Sequence, residues 1–134
     1  MDVAVEVVHA TRQSTKVEPA SLRWLRHQFT EYGINFTGFR RLAEHHLTLE
    51  RGTPVELVLP SSATALLKLE ELNGSTGRVR IGKPGHEVMY TLSDQGPVFV
   101  DVGQFEHGRL FLIVSSARDF RSHEKLSAPR DGGQ

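Results

Sequence analysis

The sequence contains no cysteine, which excludes disulfide bonds and zinc sites built on thiolates. It also has no formal net charge, because 16 Lys and Arg residues balance 16 Asp and Glu residues. A neutral chain lacks an overall attraction to nucleic acid or to an anionic membrane, although a local basic patch can still form. No apolar run is long enough to cross a bilayer, so we predict no membrane span. The start, Met1-Asp2-Val3, does not resemble a signal peptide, and the sequence leaves the cellular compartment open.

Motifs for catalysis and metal binding are missing as well. Neither G-x-S-x-G nor H-E-x-x-H occurs in the chain. Several histidines occur next to one another or next to an acid, as in His45-His46. Neighbouring side chains on a strand point to opposite faces, so such a pair cannot hold one ion together. Asp94 and Asp101 could perform acid–base chemistry only if the fold brought them together. We therefore predict a protein that is not an enzyme, with no catalytic residues, no cofactor and no bound metal.

What the sequence does contain is a regular series of turn signals between residues 50 and 110. They recur roughly every 9 to 12 residues, which is the spacing of consecutive short antiparallel strands. The signals are Arg51-Gly52, Pro60-Ser61-Ser62, Asn73-Gly74, Pro84-Gly85, Gln95-Gly96 and His107-Gly108. Alternating apolar residues predict an N-terminal strand with Val3, Val5 and Val7, and later strands near residues 64–72, 77–82, 86–93, 97–102 and 109–115.

One segment, from Glu18-Pro19 to Tyr32-Gly33, has helical periodicity. Its apolar stripe follows the i, i+3, i+7 spacing of one helix face and comprises Leu22, Leu25 and Phe29. The side chains predicted to face away from this stripe are Arg23, Arg26, His27 and Thr30. Pro19 suits the first helical position, and Gly33 suits the left-handed residue that ends many helices. We predict an amphipathic helix that packs on a sheet through Leu25 and Phe29.

Residues 36–50 fit either a helical face or a strand face. We favour a strand that starts near Phe39 and is bulged near Leu42. The Arg51-Gly52 turn, followed by alternating Val55, Leu57 and Leu59, then predicts a hairpin.

Two predicted strands, residues 97–102 and 110–114, are apolar on both faces. The helix can cover one face, and the other needs a second sheet, barrel closure or a partner chain. The predicted fold class is therefore α+β: an antiparallel β-meander, arranged as a sandwich or partly closed barrel, with one amphipathic helix packed on the sheet. An open sheet that forms an oligomer through its uncovered face is an equal alternative. Residues 1–117 are expected to form a single domain, and the polar residues 118–134 a disordered tail.

These observations favour a non-catalytic protein-binding or assembly module that acts as a homo-oligomer or within a larger complex. The predicted interface residues are Phe99, Phe111, Ile113 and Met89. Arg78 and Arg80 share one face of a strand and form the candidate basic patch, which could bind phosphate or acidic protein. More often such a pair is the solvated face of a hairpin.

A second interpretation treats residues 63–74 as a helix that precedes a hairpin containing Arg78-Val79-Arg80. The run Tyr90-Thr91-Leu92-Ser93-Asp94-Gln95-Gly96 is similar to the end of the wing in bacterial winged-helix repressors. This resemblance implies a nucleic-acid-binding regulator whose recognition helix is residues 63–74. That helix would be Leu-rich with Lys68 as its one basic residue, which suits the reading of base edges poorly.

The last three residues, Gly132-Gly133-Gln134, resemble the C-terminus of the prokaryotic ubiquitin-like modifier Pup. The resemblance implies a remote third possibility, a modifier that is conjugated through its terminal residue. A Gly-rich chain end is also what a flexible tail contains.

Overall fold

Strands dominate the part of the chain that the structure, a computed structural model, describes: residues 1–31 and 35–117. The strands are β1 Asp2–Thr11, β2 Val17–Glu18, β3 Gly38–Thr48, β4 Val55–Val58, β5 Thr64–Asn73, β6 Thr76–Gly82, β7 Val88–Leu92, β8 Val98–Phe105 and β9 Gly108–Ser116. The helical part is a 3-10 turn, Ala20–Leu22, continued by the α-helix α1, Arg23–Glu31. No helix within the described residues has the length and apolar character needed to cross a bilayer.

The strands form two sheets. The first sheet has five strands in the order β2-β3-β1-β9-β8, and the second has four in the order β4-β5-β6-β7. In the centre of the first sheet, β1 runs antiparallel to β9, with Val3 opposite Ser116 and Thr11 opposite Gly108. The first and last described strands are therefore direct neighbours.

Two mostly antiparallel sheets and one short helix are consistent with the predicted α+β class. The predicted strands are present, and the second sheet has the order of a meander. The first sheet is not a meander, because its strands are not in chain order and β2 runs parallel to β3. The predicted hairpin across Arg51-Gly52 is wrong. β3 already pairs with β1, and the chain crosses to the second sheet, where β4 pairs with β5 and the Gly52 amide donates to the Leu69 carbonyl.

The ambiguous segment after residue 36 is a strand, as predicted. Opposite β1, Val7 faces Ala43 and Val8 faces Arg41, so Leu42 is the extra residue of a bulge. The sequence predicts the bulge at this position. The extra residue shifts the register of β3 against β1 by one residue.

A large core fills the space between the two sheets. Alternate residues of β1 and β9 face the second sheet and are almost fully buried, as period-two patterning requires. The first sheet contributes Val3, Val5, Val7, Leu110, Leu112 and Val114, and the second contributes Leu57, Ala65, Leu67, Leu69, Val79, Ile81 and Leu92. Burial of these side chains is the main contribution that holds the sheets together.

The opposite face of the first sheet is covered by the helical segment. Leu22, Leu25 and Phe29 are at most 1% exposed, which confirms the predicted apolar stripe. Phe29 makes edge-type contacts with the rings of Phe39 and Phe111, with centroids 5.2 and 5.1 Å apart. Both faces of the first sheet are thus buried within the chain. The predicted helix end at Gly33 and the predicted tail, residues 118–134, lie outside the described residues.

Arg26 is exposed, as predicted, but it connects two loops. Its Nε and Nη2 donate to the Thr37 carbonyl at 3.2 and 3.0 Å, and Nη2 also donates to the Thr15 carbonyl. We therefore expect Arg26→Ala to be more costly than the loss of an ordinary surface side chain.

Replacement of Phe29 by alanine tests the packing of the helix on the sheet. Phe29→Ala removes a ring that is 1% exposed, and we expect a loss of about 3–5 kcal/mol in the free energy of unfolding. Arg23 is exposed on the same helix, so Arg23→Ala is the control and should change stability by less than about 0.5 kcal/mol. Urea unfolding measures both, and equal losses would show that the helix does not pack through the Phe29 face.

Gly108→Ala tests the closest approach of β9 to β1. A Cβ at residue 108 would lie 2.1 Å from the Ala10 carbonyl oxygen, which belongs to the neighbouring strand and cannot move alone. We expect a loss of about 2 kcal/mol or more from this overpacking. Gly52→Ala, where a Cβ meets open space at φ +82°, should cost about 1 kcal/mol through backbone strain alone. Thermal melts of both variants check this order, and the reverse order would contradict it.

Candidate protein interface at the β7 edge

The structure separates the predicted interface residues. Phe111 and Ile113 lie beneath α1, where they are 6% and 1% exposed, so the chain itself covers them. Phe99 lies beside them, half-buried against Trp24 and Phe29. The helix covers this face within the chain, so Phe111 and Ile113 do not form exposed surface. Met89 is half-buried on β7 in the second sheet, away from the other three.

The predicted basic patch is partly neutralised, since Arg78 and Arg80 have acidic neighbours and Glu70 is shared with Lys68 Nζ at 3.5 Å. Arg78 and Arg80 lie on the outer face of the second sheet, as predicted. Arg78 Nη1 lies 3.3 Å from Glu71 Oε2, and Arg80 Nε lies 3.5 Å from Glu70 Oε1. Each arginine thus has an acidic neighbour on β5, which is what the solvated face of a hairpin shows, and the pair offers little uncompensated charge to an anion.

The edges of the two sheets differ in how well they are protected against pairing with another chain. Natural sheets protect their edges with charges, bulges, prolines and short strands. In the first sheet, one edge is the two-residue strand β2, which covers only Phe39 and Arg40 of β3, and the rest of β3 contains the Leu42 bulge and Glu44. The other edge, β8, has a bulge next to Asp101. In the second sheet, β4 is four residues long, contains Glu56 and lies between Pro54 and Pro60.

The β7 edge is also short, one residue longer than β4, but it lacks the charges, bulges and prolines. Its five residues, Val88–Leu92, contain no charge and no proline, and they pair with β6 in continuous register from Ile81–Val88 to Gly77–Leu92. In the described part of the chain, nothing pairs with the other side of β7. The strand therefore presents unpaired backbone groups that can bind an extended segment.

The side chains of β7 form two short rows. Val88, Tyr90 and Leu92 face the first sheet, and Met89 and Thr91 face outward next to Arg80 and Arg78. Val88 is 54% exposed, although it belongs to the inward row, because the sandwich is open at this side. Val88 therefore adds exposed apolar surface at the same edge as the unpaired backbone groups.

The opening between β7 and β8 forms a shallow cavity of about 350 Å³. Val88, Tyr90 and Val100 give it an apolar wall, and Lys83 and His86 lie at its rim. Asp101 also lines it and is bound to Arg109, with 2.7 Å between the Oδ2 and Nε atoms. Asp94 lies in the turn after β7, and Asp101 is engaged with arginine, as is usual for residues with a structural role.

Val58, at the opposite edge of the second sheet, is 78% exposed and is therefore the natural comparison for Val88. It ends the four-residue edge strand β4, and Pro60, two residues further on, has no N–H to donate to an added strand. A single exposed valine of this kind is ordinary surface.

A cluster of polar residues lies on the helix side of the first sheet. The buried Glu6 carboxylate is 3.0 Å from Arg41 Nη1, which is also 3.0 Å from Glu44. His46 Nε2 lies 2.6 Å from the same Glu44 carboxylate. These contacts explain how Glu6 is tolerated inside a sheet. No group of three or more metal-ligating side chains occurs within residues 1–31 and 35–117.

The structure has a strand where the winged-helix interpretation requires a recognition helix. Residues 64–73, which it requires as the recognition helix, form β5 in the middle of the second sheet. Alternation of buried Ala65, Leu67 and Leu69 with half-buried neighbours explains why, since it matches the period of a strand.

Comparisons with protein-family models, with curated proteins and with solved structures give no match to this chain.

Tyr90 tests whether the inward row of β7 is part of the fold. Burial raises the pKa of the Tyr90 phenol above its usual value of 10.0. The folded state thus holds this proton more firmly than the unfolded state, and the stability it provides is complete below pH 10 and is lost as the pH rises through the folded pKa. We expect the free energy of unfolding to fall less steeply above pH 10 in Tyr90→Phe than in the unaltered protein. Urea unfolding between pH 8 and pH 11 measures this, and parallel curves would contradict it.

Proposed function

We propose that the chain is a non-catalytic protein-binding module and that it binds through the β7 edge of its second sheet. One observation carries the proposal: β7 is uncharged and free of bulges and proline, whereas the other edges of the described sheets are protected. A strand of a partner that adds to such an edge gains main-chain hydrogen bonds, and the flanking side chains supply specificity.

The side chains near β7 fit this mode of binding. Val88 offers exposed apolar surface toward the opening of the sandwich, and Met89 offers a flexible apolar side chain on the outer face. The neighbouring arginines are compensated by Glu70 and Glu71, so a partner strand can approach without strong repulsion. The side chains that support binding are therefore those of Met89, which the sequence analysis predicts as an interface residue, and its neighbour Val88. An interface role of Phe99 stays a prediction.

Site-specific photocrosslinking tests the proposal. A photoreactive benzoylphenylalanine replaces either Val88 or Val58, two exposed valines at opposite edges of the same sheet. In cells of the source organism, we expect position 88 to give protein adducts of discrete mass and position 58 to give none. Thr91→Lys, an outward-facing change on β7, should remove the adducts in the same chain.

Three results would contradict the proposal. Position 88 could give no adduct, positions 88 and 58 could give the same adducts, or the adducts at position 88 could persist in the Thr91→Lys variant. Adducts to nucleic acid at position 88 would favour the regulator interpretation instead.

A further inference from the structure

We infer that the segment that occupies the β7 edge is β7 of a second copy of this chain, which pairs antiparallel about a two-fold axis at Tyr90. The inference rests on the proposed function and names its partner. Each copy has four strands in its second sheet, so the pairing would join them into one continuous sheet across the dimer.

The register follows from the composition of the strand. With Tyr90 on the axis, each Val88 lies beside Leu92 of the second copy, and each Met89 lies beside Thr91 of the second copy. Val88, Tyr90 and Leu92 share the inward face, so the apolar layer between the sheets continues from one copy to the other. The 54% exposed Val88 gains a cover, and the two Tyr90 rings become cross-strand neighbours.

The charge pattern fits two identical strands. Residues 88–92 include no charged side chain, so the two-fold axis brings no like charges together. On the next strand, the charges of Arg78 and Arg80 are compensated by Glu71 and Glu70 in each copy. The chain as a whole has a formal net charge of +0, so long-range repulsion between copies is also small.

A two-fold pairing also explains how association would stop at two copies. Each chain uses the β7 edge once, and the edges that remain outside the dimer are the short β2 with the uncovered part of β3, β4 and β8, with their charges, bulges and prolines. Because residues 88–92 carry no charge, the β7 strands of two copies can pair without a charge clash. The strand is complementary to itself.

Complementary charge variants test both the partner and the register. The two outward-facing positions of β7 are changed together, to give one Met89→Lys/Thr91→Lys protein and one Met89→Glu/Thr91→Glu protein. In the inferred register each variant places like charges opposite each other across the axis, so each should sediment as a monomer. A mixture of the two should form a heterodimer, because lysines then face glutamates.

The unaltered chain should sediment at twice its mass of 15.0 kDa. Glu56→Lys/Val58→Lys, the same kind of change on the opposite edge strand, should leave the dimer intact. Melting curves identify any variant that is monomeric because it is unfolded. For such a variant, Thr91→Lys alone and Thr91→Glu alone replace the double changes, since Thr91 is exposed.

The outcomes separate the inference from the proposed function. An unaltered chain that stays monomeric at every concentration overturns the second copy as partner. If position 88 then still crosslinks to a different protein, the β7 edge remains the binding site. Charge variants that stay dimeric, or a mixture that stays monomeric, overturn the β7 register even when the unaltered chain is a dimer.

Discussion

The first sheet must bury both of its faces, and this requirement determines where the other elements lie. Leu110 and Leu112 of β9 face the second sheet, and Phe111 and Ile113, which alternate with them, face α1. Removal of either cover would expose a row of large apolar side chains to water. The helix and the second sheet are therefore not additions to a sheet that could stand alone. They are the two layers that make the central sheet stable.

A sandwich of two open sheets has edge strands. In this molecule, some edge strands are protected against pairing with another chain, and β7 is not. Pairing is opposed at three edges: by the two-residue length of β2 and the Leu42 bulge in β3 beside it, by the bulge beside Gly103 in β8, and by the prolines on either side of β4. The fourth, β7, keeps a regular backbone and an exposed valine. A protein that needed only to avoid aggregation would gain from a charge there, so the absence of one is the feature that a binding role explains.

The fold could be predicted from the sequence where the pattern was local. The Leu22, Leu25 and Phe29 stripe, the bulge at Leu42 and the strands between turn signals depend on neighbours in the chain, and all three were found. Strand partners depend on distant residues. Neither β1 nor β9 contains a sequence feature that identifies the other strand as its partner. The residues of the turn at Gly52 suit a crossover between sheets as well as a hairpin.

The candidate site could be predicted only in part for the same reason. Met89 was identified as an apolar residue in a strand, but Phe111 and Ile113, which look equally available in the sequence, lie under the helix. A charge-free run at residues 88–92 is visible in the sequence. Its meaning depends on β7 being the last strand of its sheet, which follows from topology and not from composition.

The pairing of β1 with β9 has a consequence for biosynthesis. Among the described strands, a ribosome makes β1 first and β9 last. Until β9 is made, β1 can join β3, while its other edge, the one that β9 fills, stays open. The nascent chain therefore presents an apolar strand edge that chaperones can recognise, and β9 closes it.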